Sequence, residues 1–577
     1  MRTENRMSID QVTQPALDPI TVEVIRHKLS AIPEQIEANI VRTAFSPLIY
    51  EYKDFAVGLI DHQGRLISQG RGGIPLFVAN LLGAAVQDGL SIYGLDGFAH
   101  GDVVICNYSG VLGQHLNNVV MYTPVFSDDD SGRPKAFLAI AAHWADVGGR
   151  EVGSSVANNT VDIFQEGIQF RTVKLWSAGQ PVGDVYRMIE HNTRFPETVL
   201  GDVASQLGGC LLGRDLYAGM LRQYGVGAVG AAIEKIWAQS ERAAREAIRA
   251  IPDGVYQAEA MLDDDGIDVG KPVPIPVTVR VAGDGIEVDF SEVAGVLKGP
   301  FNSGALGGGI TAARIALAYL LDAEEAPNEG TFRPLSVVLP PGKFLSAPAT
   351  APMARYSAPL ATVIDVVLRA IGQGLPARVA GGHHGAFGIH IFAGRNSKGE
   401  LFKNLETAQG GFGASSSADG SGPFKTYAHG DTFNVPVELQ EALYPIQIEE
   451  MALRTDSGGA GQFRGGLGVT KLFAVKEACK LNVSMDRTRC PPWGVDGGLA
   501  GAAGGILLMQ AGKEPEFLLK ADRAVQPGDR VRVDSGGGGG FGSPRLRDRE
   551  SVRRDVLRGY ISESAAREIY GFTGPLA

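Results

Sequence analysis

Near the amino terminus, apolar residues recur at helical spacing. Ile20, Val24, Ile25 and Leu29 follow Asp18-Pro19, an oxygen cap with proline at the first helical position. The pattern predicts a helix that Pro33 kinks or interrupts before it resumes to about Ala44, because proline removes a backbone donor and crowds the preceding turn. From Tyr50 the texture changes. Lys53 to Asp61 reads as a strand, with a turn at His62-Gln63-Gly64. Phe77 to Tyr93 has helical spacing, and Gly101 to Cys106 reads as a buried strand. Two continuous apolar runs, Val119 to Phe126 and Lys135 to Ala142, flank the polar turn Ser127 to Arg133 and predict a buried hairpin. A turn at Ile163 to Gly167 and a strand at Arg171 to Leu175 come next. Two or three helices follow, the clearest from Gly230 to Ala250 with Ile233, Ile236, Trp237 and Ile248 on its apolar face.

Pro252-Asp253-Gly254 ends that helix, and strand patterning takes over from Tyr256. Val273 to Val281 and Ile286 to Phe290 are spaced as a hairpin around Asp284-Gly285. Helices are predicted at Gly307 to Leu321 and Ser357 to Ile371, and beyond Gly381 short strands alternate with glycine clusters. The fold class this implies is α+β. A helix-and-strand domain spans 1–251, and a β-rich, glycine-loop-rich region of one or two subdomains spans 252–577.

Composition narrows the picture. A chain of 577 residues exceeds one compact core. A net charge of -11 without a basic stripe argues against nucleic acid as a partner. Cys106, Cys210, Cys479 and Cys490 form no ligand spacing and read as reduced residues of a cytoplasmic protein. Met1 to Gln14 has no signal core, and no apolar stretch is expected to reach the roughly 18 residues of a membrane helix.

The chemistry concentrates between Gly113 and Gly149. Gln114-His115-Leu116-Asn117-Asn118 precedes one arm of the predicted hairpin, and His143-Trp144-Ala145-Asp146 follows the other. The two histidines lie 143 − 115 = 28 residues apart and converge if the arms pair antiparallel. Convergent imidazole and oxygen donors suit a borderline divalent cation; two ordinary buried histidines satisfied by backbone are the alternative. Asp54, at the start of its strand, is either a solvated carboxylate, the simpler reading, or a group pointing into a site. A second cluster, His383-His384 with His390 and His429, offers further candidates for substrate contact. Neighbouring residues on a strand face opposite ways, so at most one of His383 and His384 faces a given site. There is no P-loop lysine, GxSxG elbow or HExxH helix. The run Gly536 to Gly542 reads as a structural loop, with positive φ angles or a backbone packed closely against a partner segment.

Several segments together resemble the B-type subunits of the hydantoinase and oxoprolinase group, which includes subunits of ketone carboxylases and a lactamase. They are Asp18-Pro19-Ile20, Lys53-Asp54-Phe55, His115 to Phe126, His143 to Gly149, Ile163 to Gly167, Pro252-Asp253-Gly254, Val288-Asp289-Phe290, Asp456 to Gly459, Phe463 to Gly466 and Gly536 to Gly542. The resemblance implies a larger A-type partner, a sugar-kinase-like ATPase that uses ATP this chain does not bind. It also implies a divalent metal, Zn or Mn, held here by Asp54, His115, Asn118 and His143. The family pattern reads His-Leu-Pro-Asp where this chain has His115-Leu116-Asn117-Asn118, so a neutral amide replaces an anionic ligand. Asp146 is then expected as a further ligand or as a carboxylate that orients an imidazole. The implied activity is metal-assisted opening of a small cyclic amide, with His143 and Asp146 catalytic and His383, His384 and His429 touching substrate. ATP-dependent ketone carboxylation and a non-catalytic scaffold are the rival readings.

Overall fold

Long apolar runs bounded by turns build the first sheet. The structure, a computed structural model, describes residues 17–575 except 129–131, 155–156, 322–324, 386 and 431. Met1 to Gln14 and part of the hairpin turn after Ser127 therefore lie outside the described residues. Seven antiparallel strands run β1 (Phe55–Asp61), β2 (Leu66–Gln69), β3 (Val103–Cys106), β4 (Asn118–Val125), β5 (Ala136–His143), β6 (Val173–Ser177) and β7 (Gln180–Pro181), in the order β2-β1-β5-β4-β3-β6-β7. Every residue of β1, β4 and β5 is buried, which is why these runs are mostly apolar instead of alternating. Helices Pro19–Thr43 and Pro196–Tyr224 cover one face, and Leu81–Tyr93 covers the other.

Pro33 does not interrupt its helix, which runs unbroken from Pro19 to Thr43. Ile25, Leu29, Ile32, Ile36 and Ile40 all bury along it, and that packing outweighs one missing hydrogen bond. The predicted helix at 77–93 is divided: Pro75–Val78 forms one turn and Leu81–Tyr93 a second helix. Taken together, Pro75–Tyr93 is 19 residues with mean hydropathy 1.3, which corrects the expectation that no segment is long and apolar enough to span a membrane; 61% of its most apolar window is buried inside the protein.

The helix Val226–Arg249 ends just before a second sheet, β8 (Gly254–Leu262), β9 (Val273–Ala282), β10 (Gly285–Asp289) and β11 (Leu335–Val338), ordered β11-β10-β9-β8. Ala282 pairs with Gly285, so the β9–β10 turn is Gly283-Asp284, one residue earlier than the sequence pattern predicts. Gly283, at φ 61, supplies the left-handed conformation that the turn needs. One apolar core draws on residues from Val22 to Val379 together with Tyr427 and Ala428. A separate core binds two further sheets: β12 (Ile389–Arg395) and β13 (Leu401–Thr407) with β16 (Cys479–Ser484) and β19 (Lys520–Val525), and β14 (Ile446–Leu453) and β15 (Val469–Val475) with β17 (Gly505–Met509), β18 (Glu516–Leu518) and β20 (Arg530–Asp534).

Of the two readings of the Gly536 to Gly542 loop, close backbone packing dominates. A Cβ on Gly538 would lie 1.9 Å from Phe412 O, and one on Gly539 would lie 1.8 Å from Trp493 O. The cysteines are four free thiols, with Cys106 and Cys210 buried.

Candidate active site

The hairpin sets the site. Asn118, the first residue of β4, pairs with His143, the last of β5, and His143 N donates to Asp54 O at 3.0 Å from the start of β1. Three adjacent strands thus deliver Asp54, His143 and Asn118 to one end of the sheet. His115 arrives on the turn before β4, where Gly113 takes φ 65. Its ring meets His143 edge-on with centroids 4.9 Å apart, and Tyr356 at the same distance on another side. Asp54 Oδ2 lies 3.6 Å from His143 Nδ1. Asp54 therefore points into a site, and the solvated reading does not hold.

Asn118 is held by its neighbours. Its Nδ2 donates to Gln114 Oε1 at 2.7 Å and Tyr356 Oη at 2.9 Å, which turns Oδ1 toward His115 Nε2 at 2.9 Å. His143 Nε2 is buried and has no hydrogen-bond partner. A buried orphan of this kind requires an explanation.

Burial sets the protonation of the cluster. It pushes His115 down to about 4 and His143 well below its ordinary value, so both rings are neutral near pH 7. Burial pushes Asp54 up to about 7, with Lys403 pulling the other way. Lys403 itself is pushed down to about 8 by burial; it reaches from β13 to donate to Ala145 O and Gly153 O at 3.2 and 3.1 Å, fastening the loop after His143.

These donors fit a divalent cation in kind. Two unprotonated imidazoles, a carboxylate and an amide oxygen line one cavity, and one imidazole nitrogen is unpaired. Among the described residues, no group of three or more His, Cys, Asp and Glu is drawn closely enough to hold an ion as it stands; the fourth donor here is the neutral Asn118.

The remaining candidates divide. His429 lines the same cavity, stacked on Phe387 at 3.9 Å, with Nδ1 2.9 Å from Thr426 Oγ1. His383 and His384 do not line it. His383 packs on Tyr427 at 4.2 Å beside Asp365, and His384 Nε2 faces Phe424 O at 3.1 Å. Asp146 is turned away as well. Its carboxylate takes Arg194 Nη1 at 2.9 Å, Arg194 N at 2.7 Å and Gly153 N at 2.8 Å, closing a loop on the far side of His143.

Sequence reasoning missed Tyr356, Glu166 and Lys403. Glu166 Oε1 accepts from Met353 N and Ala354 N at 2.7 and 2.8 Å and so presents the Ala354–Tyr356 segment to the cavity. No local motif marks Tyr356 or Lys403, and Glu166 has only its place in the Ile163 to Gly167 turn as a signal.

Residues 18–544 match the profile described as Hydantoinase B/oxoprolinase. The chain belongs to the hydantoinase B/oxoprolinase family. Within that family, the beta chain of caprolactamase from Pseudomonas jessenii is 31% identical over 96% of both chains. The crystal structure of the ATP-dependent caprolactamase from that organism superimposes with a TM-score of 0.87 at 28% identity, covering 97% of each chain. The B-type chain of a putative D-/L-hydantoinase from Pseudomonas sp. strain NS671 is 29% identical over 96% of this chain and 95% of the relative. Acetone carboxylase in its nucleotide-free form shares the fold, with a TM-score of 0.85 at 18% identity over 96% of this chain and 79% of that one. The hydantoinase and caprolactamase relatives both carry names that make them one subunit of a larger enzyme.

Proposed function

We propose that this chain is the B-type subunit of a cytoplasmic, ATP-dependent cyclic amide hydrolase. An A-type, sugar-kinase-like partner activates the ring carbonyl with ATP, and this chain completes the opening. The carbonyl oxygen takes the terminal phosphoryl group and ADP leaves; water adds its oxygen to the carbonyl carbon, the C–N bond breaks as the nitrogen takes a proton from that water, and a second water hydrolyses the resulting acyl phosphate to carboxylate and inorganic phosphate. The observation that carries the reading is the unpaired, buried Nε2 of His143, a residue that lines a cavity together with Asp54, His115 and Asn118. The caprolactamase and hydantoinase relatives support a cyclic amide as substrate.

Asp54, His115, Asn118 and His143 would hold a divalent metal, Zn or Mn. When bound, such an ion supplies Lewis acidity and lowers the pKa of water. The chain's own residues do the rest. Gln114 and Tyr356 fix which way Asn118 presents its oxygen. Thr426 occupies Nδ1 of His429, leaving Nε2 as the ring position for a substrate hydrogen bond. Leu76, Phe77, Phe387 and Leu405 keep bulk water from the cavity. In this reading Asp146 secures the loop after His143 and takes no part in proton transfer.

The test is ring opening of hydantoin, 5-oxoproline and ε-caprolactam by the chain co-purified with its partner, with and without ATP. ATP-dependent opening without bicarbonate is expected. Bicarbonate-dependent carboxylation of a ketone with no ring opening would install the carboxylase reading, which draws on fold alone. A purified chain with no stoichiometric metal and no activity would favour a scaffold.

A further inference from the structure

The cavity holding Asp54, His115, Asn118 and His143 has a volume of about 40 Å³, room for about three waters at ~10–15 Å³ each. A cyclic amide does not fit there. Beside it lies a groove of about 280 Å³, and one stretch of chain separates the two. Ile74, Leu76 and Phe77 line the small cavity, whereas Gly73, Pro75 and Val78 line the groove. Neighbouring residues of a single helical turn line the two spaces, so this turn stands between them. Ile315 and Phe332 form the opposite side of the groove, making its surface mainly apolar, as suits the methylene part of a ring.

The backbone of the partition is tied to other segments by few hydrogen bonds, although the side chains of Ile74, Leu76 and Phe77 are buried in the main core. Leu76 N donates to Ala428 O at 3.3 Å, and Gln114 Nε2 donates to Leu76 O at 3.2 Å, both at the long end of the range for such bonds. It hangs from Gly70-Arg71-Gly72-Gly73 on one side, and on the other the helix breaks at Ala79-Asn80. These are the hinge positions that a short segment needs to swing as a unit. Gln114 also accepts from Asn118, so the partition and the metal-binding candidates share a hydrogen-bonded residue.

We propose that the groove is the binding compartment for the ring of a small cyclic amide, and that the Ile74–Phe77 partition admits it to the Asp54 and His143 cavity. The choice of substrate class rests on the hydrolase reading. Binding of ε-caprolactam, hydantoin and 5-oxoproline to the full-length chain is measured by titration calorimetry, with Ala318→Cys as the variant. Ala318 lines the groove and not the small cavity. Labelling the folded variant with N-phenylmaleimide fills the groove without asking a bulky residue to fold there. Wild type treated in the same way controls for the four native cysteines.

At least ten-fold weaker binding by the labelled variant, with labelled wild type unchanged, is the expected result. Equal binding by the labelled and unlabelled variant, or no binding of any of the three compounds to wild type, overturns the compartment. Ring-opening assays on the complex separate the two ideas. If wild type opens a ring and the labelled variant keeps its kcat/KM, the compartment is refuted and the hydrolase reading stands. Binding that disappears on labelling, in a complex that opens none of these rings, keeps the compartment and removes the hydrolase reading.

Discussion

Two buried polar clusters lie back to back on β13. Leu405 and Thr407 face the candidate active site, while Glu406 between them points to the other side, as strand geometry requires. There Glu406 Oε2 meets Lys471 Nζ at 2.6 Å and His390 Nε2 at 3.3 Å. Burial pushes Glu406 up, but Lys471, His390 and Lys425 outweigh it and hold the carboxyl far below its ordinary value. Across the strand the residue types are similar and the outcome is opposite. Asp54 is pushed up to about 7, and His143 Nε2 has no partner. Compensated charges fasten the fold; uncompensated donors beside a cavity are available for chemistry.

The largest stability effect is expected on the compensated side. Glu406→Ala leaves Lys471 buried without its counter-charge and should cost about 3–5 kcal/mol, read from urea unfolding; a loss under about 1 kcal/mol would erase the distinction between the clusters. His143→Ala should do the reverse. Ring opening by the complex should fall about 10²–10⁴-fold together with bound metal, while unfolding shifts less than in Glu406→Ala.

Asn118→Asp sharpens the contrast further. It sets an acceptor against Gln114 Oε1, where an amide now donates, so metal-free protein should lose about 1–3 kcal/mol. Metal should bind about ten-fold more tightly because the ligand becomes anionic. Parallel calorimetry and metal titration check both halves, and unchanged affinity would remove Asn118 from the ligand set.

Glu166 gives a slope with pH instead of a step. Burial, opposed by hydrogen bonds from Met353 and Ala354, raises it from 4.5 to about 8. Between these values the folded state keeps a proton that the unfolded chain has released. Its contribution therefore falls as pH rises through the window, by up to about 1.4 kcal/mol per unit. Glu166→Gln, neutral throughout, should flatten that slope in pH-dependent unfolding.

The first sheet was legible because β4 and β5 are buried on both faces and bounded by turns, and the family because its short motifs keep their order along the chain. The interruption expected at Pro33 does not occur, since tertiary packing of five isoleucine and leucine residues overrides a local penalty. Site membership was harder to read. Asp54 is fixed by pairing with β5, which no spacing in its own strand announces. Tyr356 reaches Asn118 across 238 residues of sequence. Asp146 has the right distance from His143 in sequence, but Arg194 claims it, and the arginine lies 48 residues away. His383 and His384 sit in a glycine-rich stretch that looks open and is in fact filled by Tyr427, Phe412 and neighbouring backbone.

Because one cavity takes residues from Tyr52 through His429, its assembly has a timetable. During synthesis His143 emerges 429 − 143 = 286 residues ahead of His429, a delay of about 15–60 s at 5–20 residues per second. For the first 356 − 143 = 213 residues of that interval the imidazoles of the first half stand without Tyr356, Phe387 or Leu405 around them. If the site holds a metal as proposed, an ion captured then is selected by its availability in the cell, and the metal in protein from Zn- and from Mn-supplemented cultures should differ.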